Sequence, residues 1–89
     1  MLLTASVSAS SNVAALVDLE VYSPSGQKVY QKFYDNRSFT GGVARTFGSF
    51  WSIPASAEKG TYTVKIGVFR PGWAGLLDWN DSAIQFTVK

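Results

Sequence analysis

The residues best suited to recognising a ligand lie close together near the end of the chain, between positions 70 and 81. Two indole rings share this stretch with guanidinium, carboxylate and amide groups: Arg70, Trp73, Asp78, Trp79, Asn80 and Asp81. An indole ring stacks on the C–H face of a pyranose, and polar groups beside the ring bond to the sugar hydroxyls. The six residues are therefore candidates for a carbohydrate-binding site.

The same stretch has plainer interpretations. For Trp79, folding back to cap the end of a β-sandwich explains the residue as well as ligand contact does. Trp73 follows a Pro-Gly pair at a predicted loop tip, which favours exposure. The three side-chain oxygen groups at positions 78, 80 and 81 are of the type that binds Ca²⁺, but they lack EF-hand spacing, so solvated side chains are the simpler explanation.

Asp18 and Glu20 have the composition of an acid/base pair. Two residues apart on one strand face, their side chains are about 7 Å apart, and glycosidases use two such groups. Nothing in the sequence indicates that either is desolvated, so we expect both to face solvent.

The rest of the composition argues against catalysis. The chain contains neither His nor Cys, which removes the usual general base, the thiolate nucleophile and the usual zinc ligands. We therefore predict no catalytic residue, no metal and no cofactor, and do not expect an enzyme.

Length and composition predict one small module. The 89 residues form a single expected domain spanning 1–89, with residues 1–3 expected to be linker. The net charge is only +2 and the basic residues are scattered, so no nucleic-acid partner is expected. No apolar run approaches the roughly 20 residues of a membrane-spanning helix, so no membrane partner is expected either.

Alternation of apolar and polar side chains predicts about six strands. The clearest is the stretch 60–69, where Tyr62, Val64, Ile66 and Val68 share one face. We expect this face to be buried together with three residues of an earlier strand and one of the last strand: Val17, Leu19, Val21 and Phe86. The other predicted strands are residues 4–11, 14–22, 27–34, 43–53 and 82–89.

These strands predict an all-β antiparallel β-sandwich of about six to seven strands, immunoglobulin-like or fibronectin-III-like, with a small barrel as the alternative. Phe39 is predicted to plug one end of the core, and Phe47, Trp51 and Ile53 to point inward. The strand at 27–34 carries aromatic residues on both faces, so one of the two sets is expected to be partly exposed.

Tyr62 stands near the start of a late strand, after a short polar connection. This position is similar to the tyrosine corner of immunoglobulin-like sandwiches, which implies that the Tyr62 hydroxyl bonds back to upstream backbone.

Five stretches of the sequence carry a family resemblance: VDLEVY at 17–22, SPSG at 23–26, GTYTVKIGVF at 60–69, GW at 72–73 and DWN at 78–80. Together they resemble the small immunoglobulin-like accessory modules attached to secreted bacterial glycoside hydrolases such as cellulases and mannanases. The likeness covers residues 14–88 and is most particular at 60–80. It implies a non-catalytic, secreted, extracellular module. Its implied partners are a plant-type polysaccharide or oligosaccharide of the β-glucan or mannan class, and a glycoside hydrolase catalytic domain in the same polypeptide.

Two functions remain open at this point, with a third behind them. The chain is either a carbohydrate-binding module or a structural spacer whose aromatic side chains pack against the catalytic domain. An enzyme inhibitor that presents a loop is the third possibility. A sugar site is expected to have polar residues along its rim, whereas a contact patch for a neighbouring domain is expected to be flat and apolar.

Overall fold

A computed structural model describes residues 2–89, which form two antiparallel sheets. The strands in chain order are β1 (Leu2–Val7), β2 (Val13–Tyr22), β3 (Lys28–Phe39), β4 (Arg45–Phe50), β5 (Gly60–Phe69) and β6 (Leu76–Val88), with a 3₁₀ turn at Pro71–Trp73. The small sheet pairs β1 with β4, and the large sheet has the order β3-β2-β5-β6. The predicted all-β antiparallel architecture is confirmed, as two facing sheets and not as a closed barrel. Within residues 2–89, no helix is long and apolar enough to cross a membrane.

Strand pairing extends two strands beyond the predicted limits. β3 continues through the polar residues 35–38 because Phe39 pairs with Val13 at the far end of β2. β6 begins at Leu76, inside the stretch predicted to be a loop, because it pairs with the end of β5. The connection between β5 and β6 is therefore short. Pairing with a central strand overrides the low strand propensity of these polar residues.

The first strand begins earlier in the sequence than predicted. β1 begins at Leu2, and Leu3 is buried in the core, so both residues belong to the sandwich and not to a linker. Met1 lies outside the described residues.

The core lies between the small sheet and the middle of the large one. One buried cluster contains Leu3, Val21, Trp51, Tyr62 and Val64, and the other contains Ala15, Val17, Phe39 and Phe47. The predicted burial of Phe39, Phe47 and Trp51 is confirmed. The prediction for Ile53 is wrong: β4 ends at Phe50, and Ile53 is exposed in the irregular segment that follows.

Tyrosine hydroxyls join the elements around this core. Tyr62 donates to the carbonyl of Glu58 at 2.6 Å, which is the backward bond expected from its position. On β3, the hydroxyls of Tyr30 and Tyr34 bond to Ser49 and to the carbonyl of Gly48 on β4. The tyrosine face of β3 therefore belongs to the interior, and Phe33 lies on the opposite face.

The small sheet covers only part of the large one, because two strands face four. Ile66 and Val68 lie on the predicted inner face of β5 but are only partly buried, and Ile84 on β6 is exposed. The predicted inner face of β5 is thus correct. Ile66 and Val68 are not fully buried because no described strand of the small sheet covers them.

This uneven cover sets the cost of losing each core side chain. We expect Leu19→Ala, at a fully buried position, to lower the free energy of unfolding by about 2 to 5 kcal/mol. Ile66→Ala removes a similar volume from a half-covered position and is expected to cost about 1 to 2 kcal/mol. Urea unfolding of the two variants measures the difference, and an Ile66 variant at least as damaging as the Leu19 variant contradicts this placement.

Candidate functional site

The outer face of the large sheet buries two carboxyl groups. The prediction that Asp18 and Glu20 face solvent is wrong, since they are 0% and 8% exposed. Both lie on β2, which has β3 on one side and β5 on the other. Asp18 pairs with Phe33 and with Gly67, and Gly67 pairs in turn with Trp79. The large side chains of Phe33 on β3 and Trp79 on β6 therefore lie on either side of Asp18 and Gly67 and cover them.

Four aromatic side chains form the most prominent feature of this face, and we refer to Phe33, Phe69, Trp73 and Trp79 as the aromatic platform. The Trp73 ring lies 5.3 Å from that of Phe33 and 4.8 Å from that of Phe69. The rings of Phe69 and Trp79 are 6.5 Å apart. Phe33 and Trp73 remain 47% and 42% exposed. The platform thus presents open ring surface that its own members hold in place.

A short turn places Trp73 over the sheet. Gly72 and Trp73 have φ angles of 69° and 62°, in the left-handed region that a bulky residue such as Trp rarely occupies. The backbone N–H of Gly72 donates to Oδ1 of Asp35 at 2.9 Å, which ties the turn to β3. The turn lies against β2 and β3. This anchoring offsets a strain of about 1 to 3 kcal/mol at Trp73.

Contacts with Gly67 and Asp81 position the ring of Trp79. Its ring and that of Phe69 occupy the space above Gly67, where an added Cβ would lie 2.7 Å from atoms of both rings. The indole Nε1–H donates to Oδ1 of Asp81 at 2.7 Å, and Nζ of Lys65 lies 3.5 Å from the same oxygen. The indole hydrogen bond and the lysine charge lower the pKa of Asp81. Asp81 is thus an ionised group at the edge of the platform.

A polar network continues the face beside the rings. Nε2 of Gln31 donates to Oδ1 of Asp18 at 2.9 Å and to Oε2 of Glu20 at 3.4 Å. The hydroxyl of Tyr22 donates to Oε1 of Glu20 at 2.5 Å, and Nζ of Lys65 lies 4.4 Å from the centre of the Tyr22 ring. Gln31 and Lys65 therefore place polar groups next to an apolar surface.

The pKa values of the two carboxyl groups in this network shift in opposite directions. Oδ2 of Asp18 is buried, and no donor among the described residues bonds to it. Burial and a hydrogen bond to Glu20 raise the pKa of Asp18 to about 7. Burial acts to raise the pKa of Glu20 as well, but hydrogen bonds from Asp18 and Tyr22 and two nearby lysine charges outweigh it, so that pKa is lowered. In the pH range between the two pKa values, Asp18 holds the proton and Glu20 carries the charge.

The structure brings together three of the six predicted site residues. Trp73 and Trp79 belong to the platform, and Asp81 lies at its edge. Asp78 and Asn80 alternate with them along β6 and face the other side of the sheet, where they line a cleft with Ile66 and Val68. Arg70 is exposed at the start of the turn, where its backbone N–H donates to the carbonyl of Gly75.

The sequence prediction missed Phe33, Phe69, Gln31 and Lys65. For Phe33 a signal was present, because aromatic residues on both faces of β3 imply that one set is exposed. Phe69 falls on the polar face of β5 by simple alternation with Gly67, but only the folded structure shows that Trp73 and Trp79 contact it.

The described residues contain no group of three or more His, Cys, Asp or Glu side chains placed to hold a metal ion. The Asp18 and Glu20 carboxyls lie beneath other side chains, so a substrate cannot reach them directly. Comparison of the chain with protein-family models, with curated proteins and with solved structures finds no match.

The raised pKa of Asp18 predicts a pH-dependent stability. Its pKa is about 7 when folded and 3.8 ordinarily, so folding takes up a proton between these values and stability falls as pH rises through that window. The lowered pKa of Glu20 acts in the opposite direction, because its contribution is lost as pH falls below 4.5. We expect Asp18→Asn to remove the decline between pH 4.5 and 7, which amounts to about 1 to 3 kcal/mol.

Urea unfolding at several pH values measures this effect. Glu58→Gln makes the same chemical change at an exposed carboxyl group and is expected to keep the wild-type profile. A wild-type stability that rises steadily from pH 4.5 to 7 contradicts the protonated state of Asp18.

The contact above Gly67 predicts that an added methyl group displaces the platform. We expect Gly67→Ala to change the near-ultraviolet circular dichroism of the Trp rings and to lower stability by about 1 to 3 kcal/mol. Gly48→Ala is the matched control on β4, because the nearest atom to its new Cβ is 3.5 Å away. An unchanged aromatic spectrum for the Gly67 variant shows that the rings do not rest there.

Proposed function

We propose that this chain is a non-catalytic carbohydrate-binding module and that the aromatic platform is its polysaccharide site. The supporting observation is the open ring surface of Trp73 and Phe33 beside a rim of hydrogen-bonding side chains. Lys65 and Asp81 form this rim next to Trp79. An apolar surface with a polar rim matches the C–H faces and hydroxyl edges of a glycan chain.

Rigidity supports the same proposal. The rings contact one another, the turn is tied to β3 through Asp35 and Gly72, and the Trp79 indole is held by Asp81. Ordering an interfacial side chain on binding costs about 0.5 to 1.5 kcal/mol. Side chains that are already held in place avoid much of this cost, which suits a shallow site with few contacts.

The wider proposal follows from the family resemblance and from two features of the fold. The facing antiparallel sheets and the Tyr62–Glu58 hydrogen bond are features that an immunoglobulin-like module would have. In this proposal, the module is secreted and extracellular and keeps an attached glycoside hydrolase near a β-glucan or mannan. Its contribution to hydrolysis is an increased effective concentration of the catalytic domain at the substrate.

The competing proposal is a spacer whose platform packs against the neighbouring catalytic domain. The exposed ring area of Phe33 and Trp73 suits such a contact as well. Lys65 and Asp81 favour the glycan, because they place charged groups at the edge of the rings, whereas a contact patch for a neighbouring domain is expected to be flat and apolar.

Affinity electrophoresis of the domain through gels containing β-glucan, mannan, xylan or xyloglucan tests the proposal. We expect retardation in a β-glucan or mannan gel, and we expect Trp73→Ala to weaken that binding roughly five- to 150-fold, which corresponds to about 1 to 3 kcal/mol. Its loss of unfolding stability is expected to be about 1 to 2 kcal/mol, from two aromatic contacts.

Phe50→Ala is the matched control, because Phe50 is 76% exposed on β4, away from the platform. It is expected to bind as the wild type does. A folded wild-type domain that is retarded in none of the gels overturns the carbohydrate proposal and favours the spacer.

A further inference from the structure

The free edge of β1 lies beside a groove on the inner side of the large sheet. β1 pairs with β4 on one side only, and no described strand pairs with its other side. Beyond that edge, β5 and β6 extend without cover. Two clefts of about 330 and 250 Å³ lie there and share Val7, Ser8, Val68 and Asp78, so they form one continuous groove.

The edge of β1 differs from the other sheet edges within residues 2–89. β3 carries Lys28 and Lys32 along its edge, and β6 is interrupted by a bulge between its pairings at Asn80 and Ile84. The edge of β4 is capped, because the Tyr30 hydroxyl donates to the carbonyl of Phe50 at 3.3 Å. β1 has the sequence LLTASV, with no charge, no proline and no bulge. Such an edge invites pairing with another strand.

We propose that the edge of β1 and the adjoining groove bind an extended segment of a partner polypeptide, which adds a third strand to the small sheet. The backbone groups of β1 supply main-chain hydrogen bonds, and the inner face of β5 and β6 receives alternate side chains of the added strand. Ile66, Val68 and Ile84 are the apolar residues that such a strand covers. This inference does not depend on the carbohydrate proposal, which concerns the opposite face.

Two copies of this chain cannot pair through their β1 edges. In an isologous dimer, the two β1 edges pair antiparallel about a two-fold axis perpendicular to the sheet. That axis places both large sheets on the same side of the joined small sheets. Since each large sheet extends beyond its own β1, the two would occupy the same space. The occupant is therefore a single strand without a second large sheet attached above it.

The lining of the groove defines the chemistry of the partner segment. Asp78 is the charged residue among the residues that line the two clefts, and the rest are apolar or carry hydroxyl or amide groups. The segment is therefore expected to alternate small apolar with polar residues and to place a Lys or Arg near Asp78.

A peptide titration tests this assignment. The probe is a nine-residue peptide of alternating Val and Thr with one central Lys, and a second peptide has Glu in place of Lys. We expect the Lys peptide to cause saturable amide shifts in β1 and along residues 66–80 of the domain. Asp78→Lys is expected to weaken the Lys peptide roughly two- to five-fold, the range of an exposed ion pair, and to favour the Glu peptide. Glu58→Lys changes the net charge equally and is expected to leave both affinities unchanged.

Fusion of the Lys peptide ahead of residue 1 through a flexible linker detects weaker binding. An effective concentration in the millimolar range turns even a weak interaction into a rise in unfolding stability. A version of the peptide with prolines at alternate positions cannot form the ladder and is expected to give no rise. The proposal is overturned if neither the free nor the fused Lys peptide has an effect, if the proline version stabilises equally, or if the shifts lie elsewhere than β1 and the groove.

Discussion

The burial of β2 on both faces is the constraint on which the rest of this structure depends. As an inner strand of the large sheet, β2 has the small sheet against one face, where Val17, Leu19 and Val21 form the core. Its other face carries Asp18 and Glu20, and no second sheet covers them. Side chains from β3, β5, β6 and the 3₁₀ turn supply that cover instead. The aromatic platform is therefore also a structural layer, and its order is linked to the stability of the sheet.

The same arrangement explains the division of charge in the carboxyl pair. A buried ionised carboxylate is costly unless it is well hydrogen-bonded. Glu20 accepts hydrogen bonds from Tyr22 and Gln31, whereas no donor among the described residues bonds to Oδ2 of Asp18. One proton on Asp18 then serves both groups, because the protonated carboxyl group can donate to Glu20. The pair resembles an acid/base site in composition, but its environment makes it a buried structural network.

Sequence alone predicted the parts of this molecule that depend on local alternation. The strand at Gly60–Phe69 and the inward position of Tyr62 follow from the pattern of side chains. The bond of the Tyr62 hydroxyl to upstream backbone, observed at Glu58, was implied by the likeness to a tyrosine corner. The prediction that Asp18 faces solvent failed, because alternation shows which face of the sheet a residue occupies but not what covers that face. Strand order brings Phe33 and Trp79 to either side of Asp18 and Gly67, although the four are far apart in the sequence. That order depends on long-range pairing, which no local pattern encodes.

Alternation along β6 lets one strand contribute to two different surfaces. Trp79 and Asp81 point to the platform, while Asp78 and Asn80 point to the groove beside β1. Side chains on opposite faces of a strand do not compete for space, so the proposed glycan site and the proposed strand-addition site are compatible on one strand. Their backbone is shared, however, and a strand added to β1 would cover Val68 and Ile66 directly beneath the residues that support the platform.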